Sequence, residues 1–457
     1  MLRIALFTAA SCLLALGCEP FTGTGGAGGA SSGSMSTAST QSTTTTSSDS
    51  SSSTGMDCTA TGCPAGANAT GECVKGQCVY TCAKDFADCD SNPADCEADL
   101  SLDGNCGACT VNCAKSCEPF GETYGCTEVV QIAAGGSHTC ARTGTGVVWC
   151  WGDNAKGQLG IGGGVNGTPT PTKVAPLMPA GQISAAGSAT CIVGQKGELA
   201  CWGSDGNSTT GPLVYAKLPP IERVSVSGAG KTLVMLGSGE VRQFTLSNVT
   251  EPTAAGVTTS QAGIAAGAQH GCVFDAASKV RCFGDDSYGQ LGQGSPNNSS
   301  SVPIEVGGLT AVALVAGDAH TCALDQTGLM ECWGSNGFSQ VSSTVASIIP
   351  SPSLIDLVSV QLMAAGRSHT AALAENKLYL WGDNTSKQCA SVADLTIENP
   401  TEYAVLGGTV MSLALGGAHT CALLKGGIVK CWGDNTAGQV GVPNSAPVAT
   451  PTIVNIP

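Results

Sequence analysis

Charge is what this sequence has least of. Asp, Glu, Lys and Arg together make up 12% of its 457 residues, and Phe, Trp and Tyr make up 4%. The charged share is about half that of an ordinary globular chain. So few Lys and Glu leave long surface helices without their usual side chains and favour short strands joined by turns. The 19 Lys and Arg are spread among 34 Asp and Glu, for a formal charge of −15. A phosphate backbone needs clustered cations, so nucleic acid is excluded as a partner. Histidine is scarcer still, at five residues. Beyond the first residues no apolar run is long enough to cross a bilayer.

Glycine and cysteine are abundant, at 63 and 25 positions. That many cysteines suit an oxidising compartment. Arg3 precedes an apolar run from Ile4 to Gly17 with the length of a signal h-region. The run ends at Leu14-Ala15-Leu16-Gly17-Cys18, which resembles a bacterial lipoprotein signal. The resemblance implies cleavage after residue 17 and lipidation of Cys18, with Ala15 where Leu is usual; an ordinary cleaved signal is the alternative. Residues 18–57 are mainly Gly, Ser and Thr, a disordered tether reaching roughly 30–35 Å as a random coil. Residues 58–127 hold twelve cysteines and few large apolar side chains, and need disulfide stapling to fold. Cys106 and Cys109 form a CxxC, but without a second CxxC or a histidine in the segment, disulfides are preferred to zinc.

From Glu128 one pattern recurs. The last copy reads Leu415-Gly416-Gly417-Ala418-His419-Thr420-Cys421, then Cys431-Trp432-Gly433-Asp434-Asn435, then Gly438-Gln439-Val440-Gly441. Equivalent positions fall at Thr139, Thr190, Thr232, Gly271, Thr321, Thr370 and Thr420, at intervals of 39–51 residues. Seven copies of that length, with short β-type runs and Gly-rich turns, read as propeller blades. The motif resembles the regulator of chromosome condensation repeat, which implies an all-β, seven-bladed β-propeller over residues 128–457, preceded by the Cys-rich module and the tether. One ring per copy (Trp151, Trp202, Phe244, Phe283, Trp333, Trp381, Trp432) reads as filler between blades.

All five histidines, His138, His270, His320, His369 and His419, occupy one repeat position, where copies two and three carry Ala189 and Lys231. They read as scaffold, bonding turn backbone, rather than as a metal ring or proton relay. With every histidine so used, no Ser-His-Asp or Cys-His pair remains. Asp153, Asp285, Asp286, Asp383 and Asp434 recur in a turn, where such residues support backbone. No catalytic residue, metal or cofactor is expected.

The cysteine pairs Cys140–Cys150, Cys191–Cys201, Cys272–Cys282, Cys322–Cys332 and Cys421–Cys431 are each ten apart. A three-residue loop would set each pair directly opposite in a hairpin, within disulfide reach. Copies three and six lack both cysteines, carrying Leu233 with Gln243 and Ala371 with Leu380. Cys389 is left over and is expected as a buried free thiol. Thr450 to Ile456 is expected to add to the first blade and close the ring.

The function expected is a surface-tethered, non-enzymatic binding or scaffolding propeller. It would recognise a protein or polymer through loops on one face, with Tyr288 and Phe338 as candidate anchors. The resemblance also implies, as an alternative, a secreted inhibitor like the propeller that inhibits β-lactamase; a propeller lyase or hydrolase is the reading from another class. The expected setting is a monomer, lipid-anchored at the outer membrane or cell surface of a Gram-negative bacterium.

Overall fold

The computed structural model describes residues 128–457, apart from 163–164, 176–177, 205–208, 216–217, 230–231, 247, 258–260, 390–392 and 404–405, together with the backbone of six short strands between Ala69 and Cys126. The chain comprises two units, Leu13–Asn112 and one that includes Cys113–Pro457. The six short strands pair as Ala69–Val74 with Gln77–Cys82, Phe86–Ala87 with Ala98–Asp99, and Cys117–Phe120 with Thr123–Cys126. Cys18, the tether and the pairing of the twelve cysteines lie outside the described residues. Among the described residues no helix is long and apolar enough to cross a membrane.

From Val129 the chain folds into seven four-stranded antiparallel sheets, each using its strands in sequence order. This is a seven-bladed β-propeller. Blade one is typical, with strands Val129–Ala134, His138–Thr143, Val148–Asp153 and Gly167–Lys173. The first strand of every blade lines the central channel. Because neighbouring strands are antiparallel, the turns after first strands and the loops after third strands share one face, called here the loop face. The hairpins between second and third strands lie on the other.

The second and third strands carry the repeat. In blade one they place Cys140 opposite Cys150 and Thr139 opposite Trp151. Disulfides join Cys140–Cys150, Cys191–Cys201, Cys272–Cys282, Cys322–Cys332 and Cys421–Cys431, all fully buried. Where they are missing, Leu233 faces Gln243 and Ala371 faces Leu380 at the same register. The connecting hairpins need a left-handed residue. Gly146, Gly197, Gly328 and Gly427 supply it, and Ser278 takes the same conformation at φ 64° without being glycine. Blade six uses a two-residue turn in which Glu375 and Asn376 both have positive φ, as a mirror-image type I turn requires.

The core is divided among the blade interfaces. Trp151, Trp202, Trp333, Trp381 and Trp432 are fully buried there, and Phe244 and Phe283 nearly so. The glycine after each tryptophan is obligatory: at Gly152 φ is +104°, and a Cβ would meet the Ser137 carbonyl at 2.6 Å.

Every fourth strand contains proline: Pro169 and Pro171, Pro212, Pro252, Pro303, Pro350 and Pro352, Pro400, and Pro451. In all seven blades proline falls within the register shift between the third and fourth strands, where the ladder is interrupted and an N–H is not needed. Proline there also blunts the outer edge against pairing with other chains.

Ring closure differs from the expectation drawn from the sequence. Val448–Ile453 pairs with Ile428–Gly433 inside blade seven, and blade one already has its own fourth strand. Blade one needs no strand from the tail, because each loop after a third strand returns the chain to its own sheet and completes it. The tail closes the ring by packing. Val454 and Ile456 are buried in one cluster with Val129, Ile132 and Trp151 of blade one. Ile456→Ala should therefore lower stability by about 2 kcal/mol in denaturant unfolding; an unchanged midpoint would mean that the tail has no part in closure.

Candidate binding face

The loop face is built on one repeated arrangement between neighbouring blades. In blade one, Trp151 Nε1 donates to the Gln439 carbonyl of blade seven at 2.9 Å, and Thr139 Oγ1 donates to the same oxygen at 2.9 Å. His419 Nε2 of blade seven lies 2.8 Å from that threonine oxygen. The arrangement recurs with Gln158 accepting from Trp202 and Thr190, Gln290 from Trp333 and Thr321, Gln340 from Trp381 and Thr370, and Gln388 from Trp432 and Thr420. His138, His270, His320 and His369 each reach the threonine of the following blade at 2.8–3.1 Å. The histidines are thus scaffold, but their partner is a side chain of the next blade rather than turn backbone.

The threonine proton is spent on the carbonyl, so imidazole Nε2 must be the donor. Burial keeps the ring neutral. It pushes His138, His320 and His369 down to about 3, and His270 and His419 down to about 4. A neighbouring His419 adds to the effect at His138, while Asp285 and Asp434 oppose it at His270 and His419.

Two interfaces lack the arrangement. Blade two has Ala189 in place of histidine and no Gly-Gln element, and blade three then offers Phe244 instead of tryptophan. Thr232 is fully buried there, and its hydroxyl has no partner among the described residues. Blade three has Lys231 in place of histidine, and blade four follows with Gly271 and Phe283. Apolar packing takes the place of the indole and threonine bonds, beside first-strand bonds such as Val224 N to Gln182 Oε1 and Ala266 N to Ser225 Oγ. Val234, Leu236 and Phe244 pack with Ala189 and Val193 on one side, and Leu233, Met235 and Val241 with Ile264 and Phe283 on the other.

The same glutamines stiffen the loops. Gln158, Gln290 and Gln439 hold the backbone N–H of the residue two before them and donate to Asp153, Asp285 and Asp434 at 2.7–2.8 Å. Asn154 Oδ1 accepts from Leu159 N and its Nδ2 donates to Val165 O, and Asp286 holds Leu291 N and Asn298 N in the equivalent loop. The recurring carboxylates therefore serve their own turns. Among the described residues, no group of three or more His, Cys, Asp or Glu is placed to hold a metal.

Tyr288 and Phe338 sit where other loops carry Lys156, Ser386 and Ala437. Their main chains are pinned by the Gln290 and Gln340 side chains, and the two residues are 49% and 40% exposed. They occupy neighbouring blades on the loop face, and Val345, in the same loop as Phe338, is fully exposed. Cys389 is a buried free thiol whose Sγ lies 3.2 Å from the Asp383 carbonyl, and burial pushes its pKa well up.

At the centre, the first strands enclose a channel of about 430 Å³. The turns at its loop-face mouth are laced by bonds from one blade to the next: Gly136 N to Gly187 O, Ala268 N to Asp318 O, Arg367 N to Gly416 O and Gly417 N to Gly136 O. Two charged residues at this mouth, Asp318 and Arg367, escaped the sequence reading. The available signal was that the equivalent turn position in the other copies is always Gly or Ala.

The sequence matches the RCC1-like domain family over residues 103–457. It is 25% identical over 354 residues to the ultraviolet-B receptor UVR8 of Arabidopsis thaliana, covering 72% of this chain and 70% of that protein. It is 26% identical over 336 residues to the E3 ubiquitin-protein ligase HERC2 of Homo sapiens, covering 71% of this chain but 5% of that one. Among solved structures, yeast RCC1 (Prp20) bound to Kap60 is similar with a TM-score of 0.47 and 22% identity, covering 72% of this chain and 75% of that one.

The neutral histidines set a pH dependence. An unfolded histidine binds a proton near pH 6.5, whereas the folded rings refuse it until about pH 3–4. Below pH 6.5 the unfolded chain therefore binds protons that the fold does not, and stability is lost as pH falls from there towards the folded values. Burial pushes Asp285 upward, but bonds from Ser287 and Gln290 outweigh it and hold it below the usual range, so that carboxylate acts only at lower pH. Urea midpoints should fall steadily between pH 7 and pH 4.5; a flat profile would show that the imidazoles are free to protonate in the fold.

Proposed function

Because this chain belongs to the family of RCC1-like domains, we propose that it is a binding or scaffolding propeller, without catalysis of its own, that takes a protein partner on its loop face. The observation that carries this reading is the exposure of Tyr288 and Phe338 on neighbouring blades, each mounted on a loop fixed by a glutamine beneath it. Aromatic side chains on a pre-formed backbone contribute large contact area at little entropic cost. The outward chemistry of the equivalent position varies while its support does not, which is how repeat scaffolds separate recognition from stability.

The setting proposed with it is export, with Cys18 as lipid attachment and residues 18–57 as tether to the outer membrane or cell surface. An inhibitor of a secreted enzyme would use the same surface and differ only in what is bound. The test is photo-crosslinking of the full chain in its native envelope, compared with Tyr288→Ser/Phe338→Ser. The double variant should keep the wild-type melting temperature and lose the specific crosslinked band. Retention of that band at wild-type intensity would remove the aromatic pair, and this face, from the reading.

A further inference from the structure

One ring of equivalent positions surrounds the loop-face mouth of the channel: Gly136, Gly187, Ala229, Ala268, Asp318, Arg367 and Gly417. The three glycines among them leave little or no room for a side chain. At Gly187 φ is +51° and a Cβ would collide with the Gly228 carbonyl; at Gly417 it would approach the Gly136 carbonyl. Blades five and six break the pattern with opposite charges. Arg367 Nε lies 3.3 Å from Asp318 Oδ2, and the side chains are 70% and 45% exposed. The Asp318 carboxylate leans past blade four, so that Oδ1 lies 3.1 Å from where a Cβ on Gly228 of blade three would sit. The pair thus stands at the channel mouth, on the face and in the sector that carry Tyr288 and Phe338.

We propose that this sector binds a polypeptide segment bearing a Lys or Arg side chain beside an apolar one, the cation meeting Asp318 at the channel mouth and the apolar group meeting Tyr288 and Phe338. The inference rests on the binding-face reading above and adds the partner's chemistry. Charge selects the cation. In the loops and turns of blades four to six, Asp285, Asp318, Asp383 and Asp394 stand against Arg367 and Lys387. Arg367 pairs with Asp318 one to one, so it is the surplus of surrounding carboxylates that leaves net negative charge for a second cation at the open mouth. Burial raises the Asp318 carboxyl above its usual value, and Arg367 offsets part of that. Such complementarity governs which partners are accepted more than how tightly they are held.

The probe is a fluorescein-labelled peptide, Gly-Leu-Lys-Phe-Lys-Leu-Gly, titrated with the full chain by anisotropy, beside its Lys-to-Glu counterpart. The lysine peptide should bind and the glutamate peptide should not. Asp318→Asn should weaken binding about tenfold, and Arg367→Gln, which removes the internal competitor, should strengthen it about threefold. Melting temperatures of both variants control for folding. Equal binding of the two peptides, or no change in Asp318→Asn, overturns the inference. If Tyr288→Ser/Phe338→Ser still abolishes the envelope crosslink, the binding face survives that failure; if it does not, both fall together.

Discussion

At five of the seven blade interfaces one backbone carbonyl holds this ring together. The glutamine carbonyl at the end of each Gly-Gln element accepts two bonds from the next blade, one from an indole and one from a threonine hydroxyl, and the preceding histidine steadies that threonine. Each donor is buried, so each would be expensive to leave unpaired. A bond between separate sheets does what the ladder does within one: it fixes register, here the rotation of one blade against the next. The same glutamine side chain reaches outward and anchors its own loop. Interface geometry and loop geometry are thereby tied to one residue.

The arrangement explains why the ring needs no exchanged strand. Blade seven meets blade one through Gln439, Thr139, Trp151 and His419, the partners used at four other interfaces. Closure is an ordinary interface that joins distant parts of the sequence. The disulfides act on another level, each fastening a hairpin inside one blade. Proline in every fourth strand leaves the outer edges unattractive to other chains. With rotation, hairpins and edges fixed by buried or outer residues, the loop face is free to vary, and its chemistry gathers on blades four to six.

The seven-fold repeat and the blade architecture were legible because spacing and turn residues are local. The ten-residue cysteine interval carries hairpin register directly, and joint absence in copies three and six carries the pairing. The inter-blade relay was not read from the sequence, although its trace is there. Where copy two loses both His and Gln, copy three has Phe244 in the tryptophan place; where copy three has Lys231, copy four has Gly271 and Phe283. An indole without its acceptor would leave a buried N–H unpaired, so phenylalanine replaces it. Reading this required comparing a residue with partners one copy later. The closing strand was misplaced for a related reason: an extended Thr-Pro-Thr segment between two copies belongs to either by pattern, and only pairing shows that it is the outer strand of its own blade. Asp318 and Arg367 each break a position that is otherwise Gly or Ala, but their pairing was not legible because adjacency around a ring is not adjacency in sequence.

The central claim is that the threonine hydroxyl is stabilising only where its glutamine and histidine partners exist. Thr139 and Thr232 are both fully buried at the same repeat position, but Thr139 has those partners and Thr232 has none. Valine is nearly the same size and lacks the hydroxyl. Urea unfolding of Thr139→Val and Thr232→Val at pH 7.5 should therefore give opposite results. The first should cost about 1–3 kcal/mol, because the His419 donor is stranded and a bond to the Gln439 carbonyl is lost. The second should cost nothing or stabilise slightly, because an unpaired hydroxyl is removed. Equal losses at the two sites would contradict the account.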